Sequence, residues 1–124
     1  MRFMVMIKMR EDVGPAPQVL TEAMGSEMVA LFQSGVMVDA GGLYPGSAAV
    51  EVQLRGGEVS ITDGPFTEAK ELVGGYAIVE VRSREEAIEL GRRVIQLHAD
   101  HWPTWEGSAE VRQISTPDEL PPTG

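Results

Sequence analysis

The sequence predicts an α+β domain in which two helices pack on one face of an antiparallel sheet. Two stretches carry apolar residues at the spacing of an amphipathic helix, and the short apolar or alternating stretches around them are typical of strands. Glycine and proline separate these stretches where the chain must turn. The predicted order is strand, helix, strand, hairpin, strand, helix, strand, and 124 residues are enough for one domain.

The first half of the chain begins with a strand and a helix. Residues 2–9 are an apolar run suited to a strand. A helix is predicted over residues 19–32 and ends at Gly35, because apolar side chains recur there at spacings of four, four and three. These side chains are Leu20, Met24, Met28 and Leu31. Residues 36–43 read as a second strand that leads to a turn.

A β-hairpin is predicted in the middle of the chain. Residues 48–55 alternate between apolar and polar side chains, which indicates a strand with one apolar face. Gly56-Gly57 is a two-residue hairpin turn, and residues 58–62 form the returning strand.

The second half of the chain repeats the strand, helix, strand order. Residues 75–81 form a strand, and Ser83 with Glu86 is a capping box that begins the second helix. This helix ends near Trp102, because proline follows, and residues 109–114 are the last strand. The apolar stripe of the second helix consists of Ala87, Leu90, Val94 and Leu97.

This order of elements is that of a ferredoxin-like sandwich with an extra β-hairpin. Residues 1–115 are expected to form the domain, and residues 116–124, rich in proline, a flexible C-terminal tail. Both faces of the central strands are apolar, since Met4 and Met6 alternate with other apolar side chains. Two helices cover one face, so a second copy of the chain is expected to cover the other in a homodimer. The alternative is a monomer in which the hairpin and the tail cover it.

Composition excludes several classes of function. The net charge of −9 argues against direct binding of nucleic acid or of an anionic membrane surface, since both need clustered cations. The chain has no cysteine, which removes thiol chemistry and cysteine-based zinc sites. No targeting segment or membrane span is evident, so a cytoplasmic location is expected. No motif for a nucleotide or other cofactor is present, and no metal is predicted.

The turn at Asp63, Gly64, Pro65 and Phe66 is the most informative stretch. It places a carboxylate at the exit of a strand and an aromatic ring just beyond it, an arrangement found at the rim of a cleft. The alternative is a purely structural turn, in which glycine permits unusual backbone angles. Lys70 either offers a cation to an anionic ligand or belongs to a solvated face.

His98 and His101 are the only histidines and share one face of the second helix. A neutral imidazole can act as a general base. Two at this spacing could also ligate a metal if a carboxylate joined them, but the sequence does not identify that third ligand. The alternative is a half-buried histidine bonded to backbone near the helix end. Trp102 and Trp105 either line an apolar pocket or close the core at the end of this helix.

The stretch DGPFTEAKE at residues 63–71, followed by Gly74-Gly75-Tyr76, resembles the signature of the YCII-related family, in particular its DGPF branch of DGPFAETKE proteins. The opening MRFMVMIK, the stretch HADHWPTWEG and the closing EVRQI are also similar to that family. The resemblance implies the dimeric α/β barrel fold, which agrees with the dimer expected from the two apolar sheet faces.

The resemblance also implies a small-molecule-binding protein that performs isomerase-like or lyase-like acid/base chemistry with Asp63. The wider family pairs this aspartate with a histidine on the first strand, which is absent here, so His98 or His101 is expected to replace it. The ligand would lie in a cleft between helices and sheet. Its expected contacts are Gly64, Pro65, Phe66, Lys70, Tyr76 and Trp102. The alternative is a non-enzymatic module that senses a ligand or contacts a regulator linked to sigma-factor transcription.

Overall fold

A computed structural model describes residues 1–64 and 72–119, and these form six strands and two α-helices. The strands are β1 Arg2–Met9, β2 Met37–Gly42, β3 Val50–Arg55, β4 Glu58–Asp63, β5 Leu72–Glu80 and β6 Gly107–Gln113. The helices are α1 Gln18–Gln33 and α2 Arg84–His101. Every predicted element is present in the predicted order, with ends that differ by at most three residues.

The glycine predicted to end α1 and the serine predicted to cap α2 are both in place, with one difference in the hydrogen bonds of the cap. Gly35, just beyond α1, has a φ of 82°, a left-handed conformation that favours glycine. At the start of α2 the Ser83 hydroxyl accepts a hydrogen bond of 3.2 Å from the Glu86 N–H. The Glu86 carboxylate bonds the N–H of Arg82 rather than that of Ser83. The cap therefore forms, with its second half displaced by one residue.

The main sheet has the strand order β2-β5-β1-β6, and every neighbouring pair is antiparallel. This order is compatible with the predicted ferredoxin-like α+β fold. Strands β3 and β4 form a separate two-stranded sheet, the predicted extra hairpin.

The core lies between the main sheet and the helices. Phe3 and Val5 of β1 and Val79 of β5 are almost fully buried, together with Ala87 of α2. Helix α2 approaches β6 closely at Gly91, where an added Cβ would lie 3.0 Å from Val111 Cγ2. Successive side chains of a strand point to opposite faces of the sheet. On the central strands, the face that carries Phe3, Val5 and Val79 is therefore the one buried against the helices.

An ion pair joins the two helices at their exposed edge. The Arg93 guanidinium donates to the Glu27 carboxylate, with an Nε to Oε1 distance of 2.7 Å. Hydrogen bonding to Arg93 lowers the pKa of the Glu27 carboxyl below its usual value. Because the Arg93 side chain is largely exposed, solvent screens the pair and its contribution to stability is small.

The second face of the sheet carries the other set of alternating residues. Met4, Met6, Tyr76 and Ile78 are half-buried there. Ion pairs of Arg2 with Glu80 at 2.9 Å and of Lys8 with Glu110 at 3.4 Å lie along the same face. This face, called the open face below, is thus an apolar centre bordered by charged side chains.

The β3–β4 hairpin has one apolar face that remains exposed. Gly56 and Gly57 have φ values of 56° and 80°, as a type I′ turn requires. The apolar side chains are 54% to 73% exposed. They are Val50, Val52, Leu54, Val59 and Ile61. The hairpin face is therefore not buried on the sheet of its own chain.

Strand β3 begins two residues later than predicted, since a short 3₁₀ turn, Gly46–Ala48, precedes it.

Neither helix in the described part of the chain combines the length and the apolar character that crossing a bilayer requires.

Candidate functional site

A cavity of about 290 Å³ lies between the two helices and strands β1, β2 and β5. Met24 and Met28 of α1 form one side of it, and Val94 and His98 of α2 form another. The strands contribute backbone and mainly apolar side chains, so most of the lining is apolar. A concave apolar cavity with one polar group is the usual form of a small-molecule site. The predicted cleft between helices and sheet is therefore present.

His98 is the buried polar group of this cavity, with 5% of its surface exposed. Its Nδ1 lies 2.8 Å from the carbonyl oxygen of Val94, one helical turn earlier. A carbonyl can only accept, so Nδ1 carries the proton and donates. In the neutral ring Nε2 is then an acceptor, and no residue of the described chain bonds it. The helix thus holds the imidazole in one tautomer with its basic nitrogen unengaged.

Trp105 holds the ring of His98 in place. The two ring centroids are 4.2 Å apart at an interplanar angle of 36°. Trp105 is buried, and its Nε1 finds no hydrogen-bond partner in the described residues. The indole also packs on Gly107, where an added Cβ would lie 2.4 Å from Trp105 Cζ2. Of the two tryptophans considered from the sequence, Trp105 therefore contacts the histidine.

Trp102 and His101 do not line this cavity. Trp102 follows α2 directly, and its backbone N–H donates to the carbonyl of His98 at 2.7 Å, which closes the helix. His101, the last residue of α2, is half-buried. Within residues 1–64 and 72–119 no cluster of three potential metal ligands occurs.

Asp63 is exposed at the end of β4, opposite Val50, and does not line the cavity. Gly64 follows it and donates its N–H to the carbonyl of Ala49 at 2.8 Å. The φ of Gly64 is not positive, so backbone freedom is not the reason for glycine here. An added Cβ would instead lie 2.1 Å from the carbonyl oxygen of Gly46. Close contact between two backbone segments explains this glycine.

Three other predicted site residues, Pro65, Phe66 and Lys70, lie outside the described residues. Tyr76 of β5 is among the residues around the cavity, but the strand register places its side chain on the open face with Met6. There its hydroxyl donates to the Asp39 carboxylate of β2 at 3.3 Å. Its ring lies over Gly41, where an added Cβ would be 2.9 Å from Cε1. Of the predicted site residues in the described chain, His98 is therefore the one whose side chain lies on the cavity side of the sheet.

The lining methionines were not identified from the sequence as site residues. They are Met9, Met24, Met28 and Met37. Met24 and Met28 belong to the apolar stripe of α1, which by spacing alone predicts core packing. A methionine that packs in a core and one that lines a cavity give the same sequence pattern, so only their position in the fold distinguishes them.

Comparison with known proteins shows the family of this chain. Residues 1–115 match the family of YCII-related domains. The chain is also 31% identical over 91 residues to the uncharacterized protein R00369 of Rhizobium meliloti (strain 1021), an alignment that covers 72% of this chain and 69% of that protein. Since both matches span most of the chain, it belongs to the YCII-related family.

Proposed function

We propose that the protein binds a small organic molecule in the cavity between the helices and the sheet, with His98 as the polar contact. The observation that carries the proposal is the unengaged Nε2 of a histidine that is 5% exposed in an apolar cavity. A ligand that donates a hydrogen bond to this nitrogen forms it in apolar surroundings, where a hydrogen bond is stronger than in water. The fixed tautomer makes Nε2 an acceptor on which such a ligand can be oriented.

The same atom can serve acid/base chemistry. A neutral imidazole that accepts a hydrogen bond from a ligand can also accept its proton, as an isomerase-like or lyase-like reaction requires. We assign the base to His98, which lines the cavity, rather than to His101, which does not. Asp63 is the proposed second acid/base group. It is exposed on β4, so its participation requires the ligand or a second chain to approach the hairpin.

Replacing His98 with phenylalanine is expected to weaken ligand binding at least tenfold while retaining the stacked ring against Trp105. The hydrogen-bond acceptor is lost, whereas the apolar wall remains. The measurement is nuclear magnetic resonance titration with two neutral single-ring compounds that carry a hydroxyl group, the phenol para-cresol and the alcohol para-methylcyclohexanol. His101→Phe is the matched control on the same helix and is expected to bind both probes like the unchanged protein. Equal binding by the two variants, or binding of neither probe to the unchanged protein, would contradict the proposal.

We also propose that two copies associate through their open faces, as in a dimeric α/β barrel. The half-buried apolar centre of that face and the exposed apolar face of the hairpin support association, because monomers rarely leave such patches uncovered.

The Asp63-Gly64 pair begins the signature that supports placement in the DGPF branch of the family.

The Met6→Lys variant is expected to sediment as a monomer at micromolar concentration, whereas the unchanged protein sediments as a dimer. Met6 lies at the centre of the open face between Tyr76 and Glu110, and Glu110 already pairs with Lys8 and Arg112. A further cation there would be buried in the interface with no carboxylate left to balance it. Val29→Lys, on the exposed side of α1, is the control and should remain dimeric. A monomeric mass for the unchanged protein would refute the dimer.

A further inference from the structure

Four thioether side chains line the cavity, two from helix α1 and two from the sheet. Met24 and Met28 lie one turn apart on α1, Met37 lies on β2, and Met9 ends β1. Methionine sulfur is polarisable and makes favourable contacts with aromatic rings, and its flexible side chain adapts to the outline of a ligand. Four methionines around one cavity are therefore suited to contact an aromatic ring.

One end of the sheet side of the cavity is formed by glycines and offers no side chain, whereas residues such as Val5, Ile7 and Ala77 line the rest of that side. Gly42 of β2 and Gly75 of β5 are paired in register, and Gly74 also lines the cavity. An added Cβ at Gly74 would lie 2.9 Å from Met9 Sδ, and one at Gly75 would lie 3.2 Å from the carbonyl oxygen of Gly41. At Gly42 an added Cβ would meet nothing within 4 Å. Peptide backbone therefore bounds this end of the cavity, with open space above Gly42.

The charge of the lining restricts the ligand further. Within the described residues no lysine, arginine, aspartate or glutamate lines the cavity. A carboxylate or phosphate buried there would lose its hydration without gaining a cation. The polar atom offered to a ligand is His98 Nε2, an acceptor in the neutral ring, so the ligand must supply a donor.

We infer that the cavity is a slot for a single aromatic ring that carries a neutral hydroxyl group, in other words a phenol or a hydroxylated heteroaromatic compound. The ring lies between the glycine backbone and the methionine side chains, and its hydroxyl donates to His98 Nε2. This inference rests on the proposed function, since it names the class of ligand for the same cavity.

Four matched probes test the inference by titration calorimetry with the full chain. They are para-cresol, its methyl ether, para-methylcyclohexanol and para-toluate. Para-cresol is expected to bind at least tenfold more tightly than the ether, which lacks the donor, and than the toluate, which is charged. It should bind severalfold more tightly than para-methylcyclohexanol, which has the hydroxyl without the aromatic ring.

The outcomes separate this inference from the proposed function. Equal affinity for para-cresol and para-methylcyclohexanol would overturn the aromatic slot, although the cavity would still bind a small molecule. Tighter binding of the toluate or the ether would overturn the hydroxyl assignment. Failure of all four probes to bind would refute the proposed function itself.

Two variants test the slot from the protein side. Gly42→Leu fills the open space and should weaken para-cresol at least tenfold, whereas Gly25→Leu on α1, where an added Cβ also meets nothing within 4 Å, should leave it unchanged. Met28→Leu removes the sulfur at nearly constant volume. It should weaken para-cresol severalfold and leave para-methylcyclohexanol unchanged, and an equal effect on both would contradict the sulfur–aromatic contact.

Discussion

Replacing Gly107 with alanine is expected to lower the free energy of unfolding by about 3 kcal/mol. The new Cβ would lie 2.5 Å from the carbonyl oxygen of Lys8 and 2.4 Å from Trp105 Cζ2. The carbonyl belongs to the central strand β1, and the indole cannot retreat because it is buried against His98. Both neighbours are therefore held, and the strand or the indole must shift.

Urea denaturation measures this effect, and the imidazole resonances of His98 report whether the indole has moved. Gly25→Ala is the matched control. Gly25 is an exposed glycine inside α1 with no atom within 4 Å of an added Cβ, so alanine there is expected to raise stability by about 0.5–1 kcal/mol. A Gly107→Ala variant as stable as the unchanged protein would show that the contact between Trp105 and Gly107 does not restrain the site.

Replacing Gly64 with alanine is expected to cost about 2 kcal/mol. The added Cβ would lie 2.1 Å from the carbonyl oxygen of Gly46 and 3.1 Å from that of Ala49. Both are backbone atoms, and the Gly64 N–H is bonded to the second at 2.8 Å, so the segments must separate and the bond weakens. The loss should appear in urea denaturation and as faster amide hydrogen exchange in β3 and β4.

Asp63→Asn is the comparison for that experiment. The Asp63 side chain is exposed, so the substitution is expected to change stability by less than about 0.5 kcal/mol. If Asp63 serves acid/base chemistry, the same variant loses turnover while it stays folded. A loss of stability as large as that of Gly64→Ala would instead assign both residues of the turn to structure alone.

Much of the fold could be predicted because its signals are local. The apolar run of residues 2–9, the helical spacing from Leu20 to Leu31 and the serine cap of α2 each lie within one element. The Gly56-Gly57 turn likewise determines the hairpin, since both residues adopt positive φ. The alternation of strands and helices then favours a ferredoxin-like arrangement, because it leaves few topologies.

The candidate site could be predicted only in part. The sequence offered two histidines three positions apart, which differ by about 60° around a helix. Which of them enters the cavity depends on how α2 is rotated on the sheet, and this depends on contacts such as Gly91 with Val111. The pairing of Tyr76 with Asp39 likewise joins residues of two strands that are distant in sequence.

By itself, therefore, the sequence determined the elements, their order, the exposed turn of the hairpin and the short list of groups able to do chemistry. Tertiary structure decided that His98 is the buried histidine, that Trp105 stacks on it and that methionines and glycines enclose the space beside it. The physical reason is that hydrogen bonding and hydrophobic periodicity act along one element. A cavity forms where several elements fail to fill the space between them, and no single segment encodes that.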